Sequence, residues 1–419
     1  MTVVAVTALG SEKTLSNELK KLAEGGARIA VLESRAGRVR FETGLDGIYL
    51  ALMALRTADR LFLRCAAGRA EDFDALFSLA AGFPPEDFIP RDMPVAVSRV
   101  RSSRSKLSAE TSIQAIVHKA IAQRLCEKHG VNRLPGGKGA RFRVYIENDD
   151  AEILLDLTGE PLYKRGYRQE GGIAPLRETI AASALLSAMW KRKHPLYDPF
   201  CGSGTIAIEA ALYAWNIAPC LSRDFAIGKL LIANTKLQAE IRQLLLSRVD
   251  TSKPARISGS DSSRELVKLA ERNMNRALSS YDRRIKINFA ALDFSEARAF
   301  DADGFVITNP PYGVRLGSAE EAEENYRAMS VLRSNFPGWK IVTLTDHAGL
   351  ESFFGEKASR CRELQAGALT VYQFEFPPQA RGQKPQVQQK PPAQQKPREP
   401  PAQQKPRNPP PRTPPKWTW

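Results

Sequence analysis

The chain has 419 residues, 43% of them hydrophobic, and a formal net charge of +15. That is apolar material for two or three cored domains. No apolar run reaches the about 18 residues that would span a bilayer, and no basic stretch precedes an apolar leader, so a cytoplasmic location is expected. Five cysteines (Cys65, Cys126, Cys201, Cys220, Cys361) contain no CxxC pair, and His118, His129, His194 and His347 are not at ligand spacing. This argues against a disulfide framework, a zinc site and metal catalysis.

In chain order, the first chemical signal is a basic cluster, Arg99, Arg101, Arg104 and Lys106, interleaved with serines ahead of a helix predicted over 110–126. Hydroxyls mixed with cations suit phosphate and ribose contacts; a solvated loop is the alternative. A second cluster, 133–141, includes Lys138 among glycines. Alternation predicts a strand over 142–147 and another over 153–157, and the segment 159–168 with Lys164 and Arg165 closes the amino half.

The carboxyl half changes character. A helix is predicted over 180–190, then a short strand at 196–197, then Asp198-Pro199-Phe200-Cys201-Gly202-Ser203-Gly204-Thr205, then a helix over 206–212. Glycines in such a turn let the backbone approach a ligand, and the helix start beyond them presents free N–H groups. With Ala207 in its last small position, the pattern also fits a dinucleotide fingerprint. A nicotinamide enzyme, however, places its ribose carboxylate roughly 20 residues past the glycines. Here the next strand-terminal acid is Asp261, after a strand over 256–260 and a long insert over 213–254. Asp261 also has a plainer reading, as cap of the helix predicted over 264–278. Asp293 follows a strand over 285–290, or sits in an ordinary loop.

The strand 305–308 ends in Asn309-Pro310-Pro311-Tyr312. Consecutive prolines can simply end a strand. They also suit a more specific chemistry. An exocyclic amine on guanine or adenine has its lone pair delocalised into the ring, and it becomes nucleophilic when acceptors hold both N–H bonds. The Asn309 side-chain oxygen and the Pro310 carbonyl supply that pair, with Tyr312 as a stacking surface. Successive strand ends thus carry Asp198 with the glycines, Asp261, Asp293 and Asn309, all directed to one crevice of an open parallel sheet.

Beyond residue 378 the composition shifts to a tail of proline, glutamine and lysine that repeats Ala-Gln-Gln-Lys-Pro-Arg. Nine basic residues stand against the single Glu399 there, so about half of the net charge lies in a segment expected to be disordered. It adds salt-sensitive RNA affinity or serves as a solubilising extension.

The glycine turn, Asp261, Asp293 and the Asn-Pro-Pro-Tyr ending together resemble the class I methyltransferases that use S-adenosylmethionine. That resemblance implies cofactor contacts at Asp198, Cys201, Gly202, Ser203, Gly204, Thr205, Asp261 and Asp293. It also implies a closing segment before the first strand, matched by 174–179 and contributing Arg177 and Thr179. Catalytic roles fall on Asn309, Pro310, Pro311 and Tyr312. The amino half, with its Leu-Tyr-Lys-Arg-Gly-Tyr-Arg ending, resembles the THUMP domain of RNA-modifying enzymes preceded by a ferredoxin-like segment. This implies a first strand over 3–7, helices over 12–24 and 45–55, and RNA contacts at Arg99, Arg101, Arg104, Lys106, Lys138, Lys164 and Arg165.

The expected fold class is α/β: a Rossmann-like methyltransferase sheet preceded by an α+β ferredoxin-like/THUMP region and followed by a disordered basic tail. The expected domains are 1–60, 61–168, 169–378 and 379–419. Over residues 1 to about 378 the chain is similar to the amino-terminal part of the bacterial large-subunit ribosomal RNA guanine-N2 methyltransferases. The resemblance implies guanine N2 in 23S rRNA as the target. Transfer RNA, adenine N6 and a noncatalytic RNA-binding assembly factor remain as alternatives.

Overall fold

The amino-terminal region runs β1 (Thr2–Thr7), α1 (Glu12–Glu24), β2 (Ile29–Arg35), β3 (Arg38–Thr43), α2 (Leu45–Ala54), β4 (Ala58–Arg69), α3 (Phe73–Gly82), β5 (Val95–Ser103), α4 (Glu110–His129), β6 (Ala140–Glu147) and β7 (Asp150–Asp156). These strands form one sheet in the order β2-β3-β1-β4-β7-β6-β5. Its two-sidedness is written in the strands: along β6, Ala140, Phe142, Val144 and Ile146 are buried while Arg141, Arg143, Tyr145 and Glu147 are half-buried. Helices α1 to α4 pack on the apolar face. β4 pairs with β1 on one side and β7 on the other. The expected boundary between residues 60 and 61 therefore falls inside a strand that both halves share. α4 also runs past its expected end at 126, to His129, where Gly130 at φ 62° caps it and donates to the Cys126 carbonyl.

The carboxyl-terminal region continues with α5 (Glu178–Ser187), β8 (Leu196–Asp198), α6 (Thr205–Ala214), α7 (Thr235–Ser247), β9 (Ile257–Asp261), α8 (Arg264–Leu278), β10 (Asn288–Ala291), β11 (Gly304–Thr308), α9 (Ala319–Ala328), α10 (Val331–Asn335), β12 (Trp339–Thr345), α11 (Leu350–Phe354), β13 (Arg360–Ala366) and β14 (Leu369–Phe376). The sheet order is β10-β9-β8-β11-β12-β14-β13, with β8 to β12 parallel and β14 antiparallel to both its neighbours. This is the expected Rossmann-like sheet. The computed structural model describes residues 1–169, 176–252, 254–281, 286–311, 319–367 and 369–379. Tyr312, the first part of the expected closing segment and residues 380–419 of the tail lie outside them.

α6 is buried almost all round, from Thr205 to Leu212 and again at Ala214, because it is covered on two sides. α5 packs against it, and the amino-terminal region reaches its far end. There the Arg56 guanidinium donates to the carbonyls of Leu212 (3.2 Å) and Ile217 (2.7 Å). A backbone bridge from Leu9 to Gln365 and a Ser11–Ser183 hydroxyl pair at 2.8 Å join the two regions elsewhere. Among the described residues no helix is long and apolar enough to cross a membrane.

Candidate active site

Strands β8, β9 and β10 step toward one edge of the sheet, and β11 then returns to the other side of β8. The switch opens a crevice at the carboxyl ends of β8 and β11. The glycine turn leaves β8 there and Asn309 leaves β11. A direct contact ties the two: the Thr308 hydroxyl donates to the Asp198 carboxylate at 2.7 Å, across 110 residues of sequence.

Asp198 is buried and also accepts from the Phe200 N–H at 3.2 Å. Burial raises its carboxyl from the usual range to about 7; these hydrogen bonds oppose the rise and the nearby Asp261 adds to it. A folded-state value above the unfolded one means that the linked stability is fully present below about pH 4 and is lost as pH rises through 7. Asp198→Asn is therefore expected to narrow the stability gap between pH 5 and pH 8 by roughly 2 kcal/mol. Urea denaturation at the two pH values measures it, and an unchanged gap would contradict the assignment.

Beyond Asp198 the backbone takes φ 51° at Gly202 and 82° at Gly204, the left-handed region in which a side chain is strained. At Gly204 a Cβ would also stand 3.0 Å from the Ala270 Cβ and 3.1 Å from the Phe289 ring, so α8 and β10 leave no room for one. At Gly202 it would enter open space. No side chain caps the start of α6, leaving its first N–H groups available to a ligand. Ser203 faces Thr205 at 3.3 Å, oxygen to oxygen, and its carbonyl accepts from the buried Asn273 amide at 3.0 Å. Cys201 is a packing residue: its N–H donates to the Ser260 carbonyl at 2.8 Å and burial pushes its thiol far up.

The two further acids stand beside this turn. Asp261 accepts from the Gly202 N–H and from the Ser263 N–H, each at 3.0 Å. The cap of α8 is Ser263, which accepts from the Leu266 N–H. Asp261 thus fixes the turn's geometry with one oxygen and its own loop with the other. Asp261→Ala is expected to weaken S-adenosylmethionine binding at least about tenfold by calorimetry, as the loss of a charge-assisted hydrogen bond predicts. Unchanged affinity would remove Asp261 from the cofactor site. Asp293 is exposed and ties up one oxygen with the N–H (2.9 Å) and hydroxyl (2.6 Å) of Ser295. Its neighbour Phe294 stacks on Phe200 at 4.8 Å, which holds that loop against the glycine turn.

Asn309 is 8% exposed, and its Oδ1 is buried with no hydrogen-bond partner among the described residues. Leaving a buried acceptor unpaired costs about 1–3 kcal/mol. Native structures rarely tolerate that without a ligand to accept from. Pro310 is buried and Pro311 half-buried.

Among the described residues Arg177 and Thr179 make no hydrogen bond to the turn. The Thr179 hydroxyl donates to Asp59 at 2.7 Å, and Arg177 reaches the same carboxylate at 3.5 Å while lying over the Tyr163 ring. Between them sits a residue that the sequence analysis did not single out. Glu178 is buried, its carboxyl raised to about 7 by burial against the opposing charge of Arg168. Arg168 pairs with it at 2.9 Å and donates to the Leu176 carbonyl and the Thr205 hydroxyl. The signal was present, as a carboxylate opening an otherwise apolar helix.

Of the expected RNA contacts, Arg99 and Lys138 are exposed. Arg101 is exposed and pairs with Glu110 at 3.3 Å, Arg104 with Glu147, Lys106 with Glu71, and Lys164 with Glu160 at 2.7 Å. Arg165 is a correction. Its side chain is 1% exposed, paired with Glu209 at 3.4 Å and donating to the carbonyls of Leu162 and Arg56, so it is an internal strut and cannot touch RNA.

The sheet order, glycine turn, strand-end acids and Asn309 define a class I methyltransferase. Residues 165–373 match the family model "RMKL-like, methyltransferase domain" and residues 2–62 match "RlmL ferredoxin-like domain". The chain belongs to this RMKL-like methyltransferase family. It is 34% identical to the "Putative RNA methyltransferase YpsC" of Bacillus subtilis, over 90% of this chain and 95% of that one. To the "Ribosomal RNA large subunit methyltransferase K/L" of Syntrophotalea carbinolica it is 32% identical, over 88% of this chain and 52% of that one; the chain spans about half the length of such relatives. The crystal structure of SMU.472, "a putative methyltransferase complexed with SAH", is similar with a TM-score of 0.80 and 31% identity, over 90% of this chain and 98% of that one. The cofactor is S-adenosylmethionine. The open face of Gly202 and the uncapped start of α6, with Asp261 bonded to the Gly202 N–H, leave room for it.

Proposed function

We propose that the protein methylates the exocyclic N2 of a guanine in RNA, with 23S rRNA as the substrate. The observation that carries this reading is the Oδ1 of Asn309, buried and without a partner among the described residues, at the carboxyl end of β11. S-adenosylmethionine supplies an electrophilic methyl carbon. Asn309 accepts one N–H of the base amine and the Pro310 carbonyl accepts the other, which directs the nitrogen lone pair outward and stabilises the charge that develops on it. Asp198, buried behind the turn, holds the two strand ends in register through Thr308. A guanine within a paired helix has to leave its stack to reach this depth, and Tyr312 is its stacking platform.

The names of the ribosomal RNA relatives support RNA as substrate. Adenine N6 meets the same two acceptors, so the base is decided by experiment. In this reading residues 1–168 act as ferredoxin-like and THUMP parts of one RNA-holding unit, residues 169–378 carry out the transfer, and the tail adds nonspecific affinity, all in the cytoplasm and without a metal. Exposed Arg99, Arg101, Arg104, Lys106, Lys138 and Lys164 make backbone contacts. Nucleoside mass spectrometry of ribosomal and transfer RNA from cells with and without the gene tests the whole reading. Loss of N2-methylguanosine from 23S rRNA alone is expected, and loss of N6-methyladenosine, or no loss at all, would overturn it.

A further inference from the structure

The apolar face of the amino-terminal sheet is covered by helices; its other face is paved with arginine. Strand register places Arg38 and Arg40 of β3 beside Val6 and Val4 of β1, and Arg64 of β4 beside Leu154 of β7. Leu154 in turn faces Arg143 of β6, which pairs with Arg99 of β5, and Arg101 pairs with Tyr145. Paired residues share a face, so six arginines from four strands lie on one surface. Val4, Phe62 and Leu154 form a small buried cluster beneath them, with Val6 and Tyr145 packed against it.

Two of these side chains lie over aromatic rings. The Arg143 guanidinium sits 4.7 Å from the Phe62 ring centroid and Arg38 sits 4.5 Å from that of Tyr145. Carboxylates on this face are outnumbered at its centre, where Arg38, Arg40 and Arg64 all converge on Glu152 at 3.3, 3.4 and 2.9 Å. Glu33 and Glu147 take second contacts from Arg40 and Arg38. Among the described residues neither Arg99 nor Arg143 has a carboxylate within 4 Å. A merely solvated face would balance its pairs and use lysine as readily. A surface whose cations are planar guanidiniums laid on aromatic rings suits phosphate forks and base stacking.

We propose that this arginine-paved sheet face is where the RNA strand docks, with Arg99 and Arg143 as backbone contacts. The proposal rests on the reading of RNA as substrate and adds the surface that grips it. The test is filter binding of an unmodified 23S rRNA transcript to the full chain across a potassium chloride series, comparing wild type with the Arg99→Gln, Arg143→Gln double variant. The expected result is affinity weakened at least about tenfold near 0.1 M salt, with the log–log salt slope shallower by about 1.4 to 1.8, from roughly 0.7 to 0.9 per lost phosphate contact. Because Arg143 covers the buried Phe62 ring, thermal melting and S-adenosylmethionine calorimetry establish that the variant is folded. Arg99→Gln alone, at an exposed position, should give about half the slope change. Folded variants that bind RNA with unchanged affinity and slope would overturn the docking face, and would leave a protein as its occupant. Failure of the wild-type chain to bind RNA would instead overturn the RNA reading itself.

Discussion

Asn309→Ala is expected to lower the rate of methyl transfer by about 10²–10³-fold while S-adenosylmethionine affinity stays within about twofold. The separation follows from geometry. In the proposed reading the cofactor would contact the turn after β8 and the acids after β9 and β10, whereas Asn309 leaves β11 and would meet the base. Stability should move the other way from activity. The Oδ1 of Asn309 is buried and, among the described residues, unpaired, so its removal relieves a desolvation cost rather than breaking a native hydrogen bond, and the melting temperature should hold or rise. Single-turnover transfer to RNA, calorimetry with the cofactor and a thermal melt give the three readouts. A variant that transfers methyl at the wild-type rate would exclude the acceptor mechanism. A large loss of cofactor affinity would move Asn309 to the cofactor side of the crevice.

This site was legible in the sequence because its signals are local. A strand, a glycine turn and a helix follow one another within Leu196–Ala214, and Asn309 follows its strand directly. The parallel order of the strands then brings separate motifs to one edge without any pairing having to be known. Signals that depend on a distant partner were not legible. Thr179 and Arg177 precede the turn in sequence by about 20 residues, yet their partner is Asp59, 120 and 118 residues away, and nothing near residue 59 announces it. That the two expected segments share one sheet was hidden for the same reason. β4 reads as an ordinary strand, and only its pairing with both β1 and β7 shows that two segments share one sheet. The arginine face is an intermediate case. Alternation along β6 turns Arg141, Arg143 and Tyr145 away from the buried face, but their joining with Arg38, Arg40 and Arg64 is a matter of register across strands from both halves.

Arg165 shows how a basic string can mislead, and it carries the largest expected effect on stability. In Lys164-Arg165-Gly166-Tyr167-Arg168 the cations alternate in fate. Lys164 is exposed, whereas Arg165 is sealed inside with Glu209 and beside the Tyr167 hydroxyl, which donates to the same carboxylate at 3.2 Å. Burial disfavours the charge on Arg165 and is the largest single influence, but Glu209 together with Cys220, Glu178 and Tyr167 outweighs it and holds the guanidinium above its ordinary pKa. Among the described residues the second oxygen of Glu209 is already without a partner. Arg165→Ala would leave that carboxylate buried and uncompensated between the amino-terminal region and α6, which is expected to cost about 3–5 kcal/mol of unfolding free energy. Urea denaturation measures the loss. Arg165→Met combined with Glu209→Leu, which removes both charges and keeps the volume, should recover most of it, because a buried ion pair gains little over well-packed apolar groups. The folded fraction of Arg165→Ala should bind RNA as wild type does, since the guanidinium never reaches the surface. A single variant within about 1 kcal/mol of wild type, the range of an exposed ion pair, together with weakened RNA affinity, would return Arg165 to the RNA-binding surface.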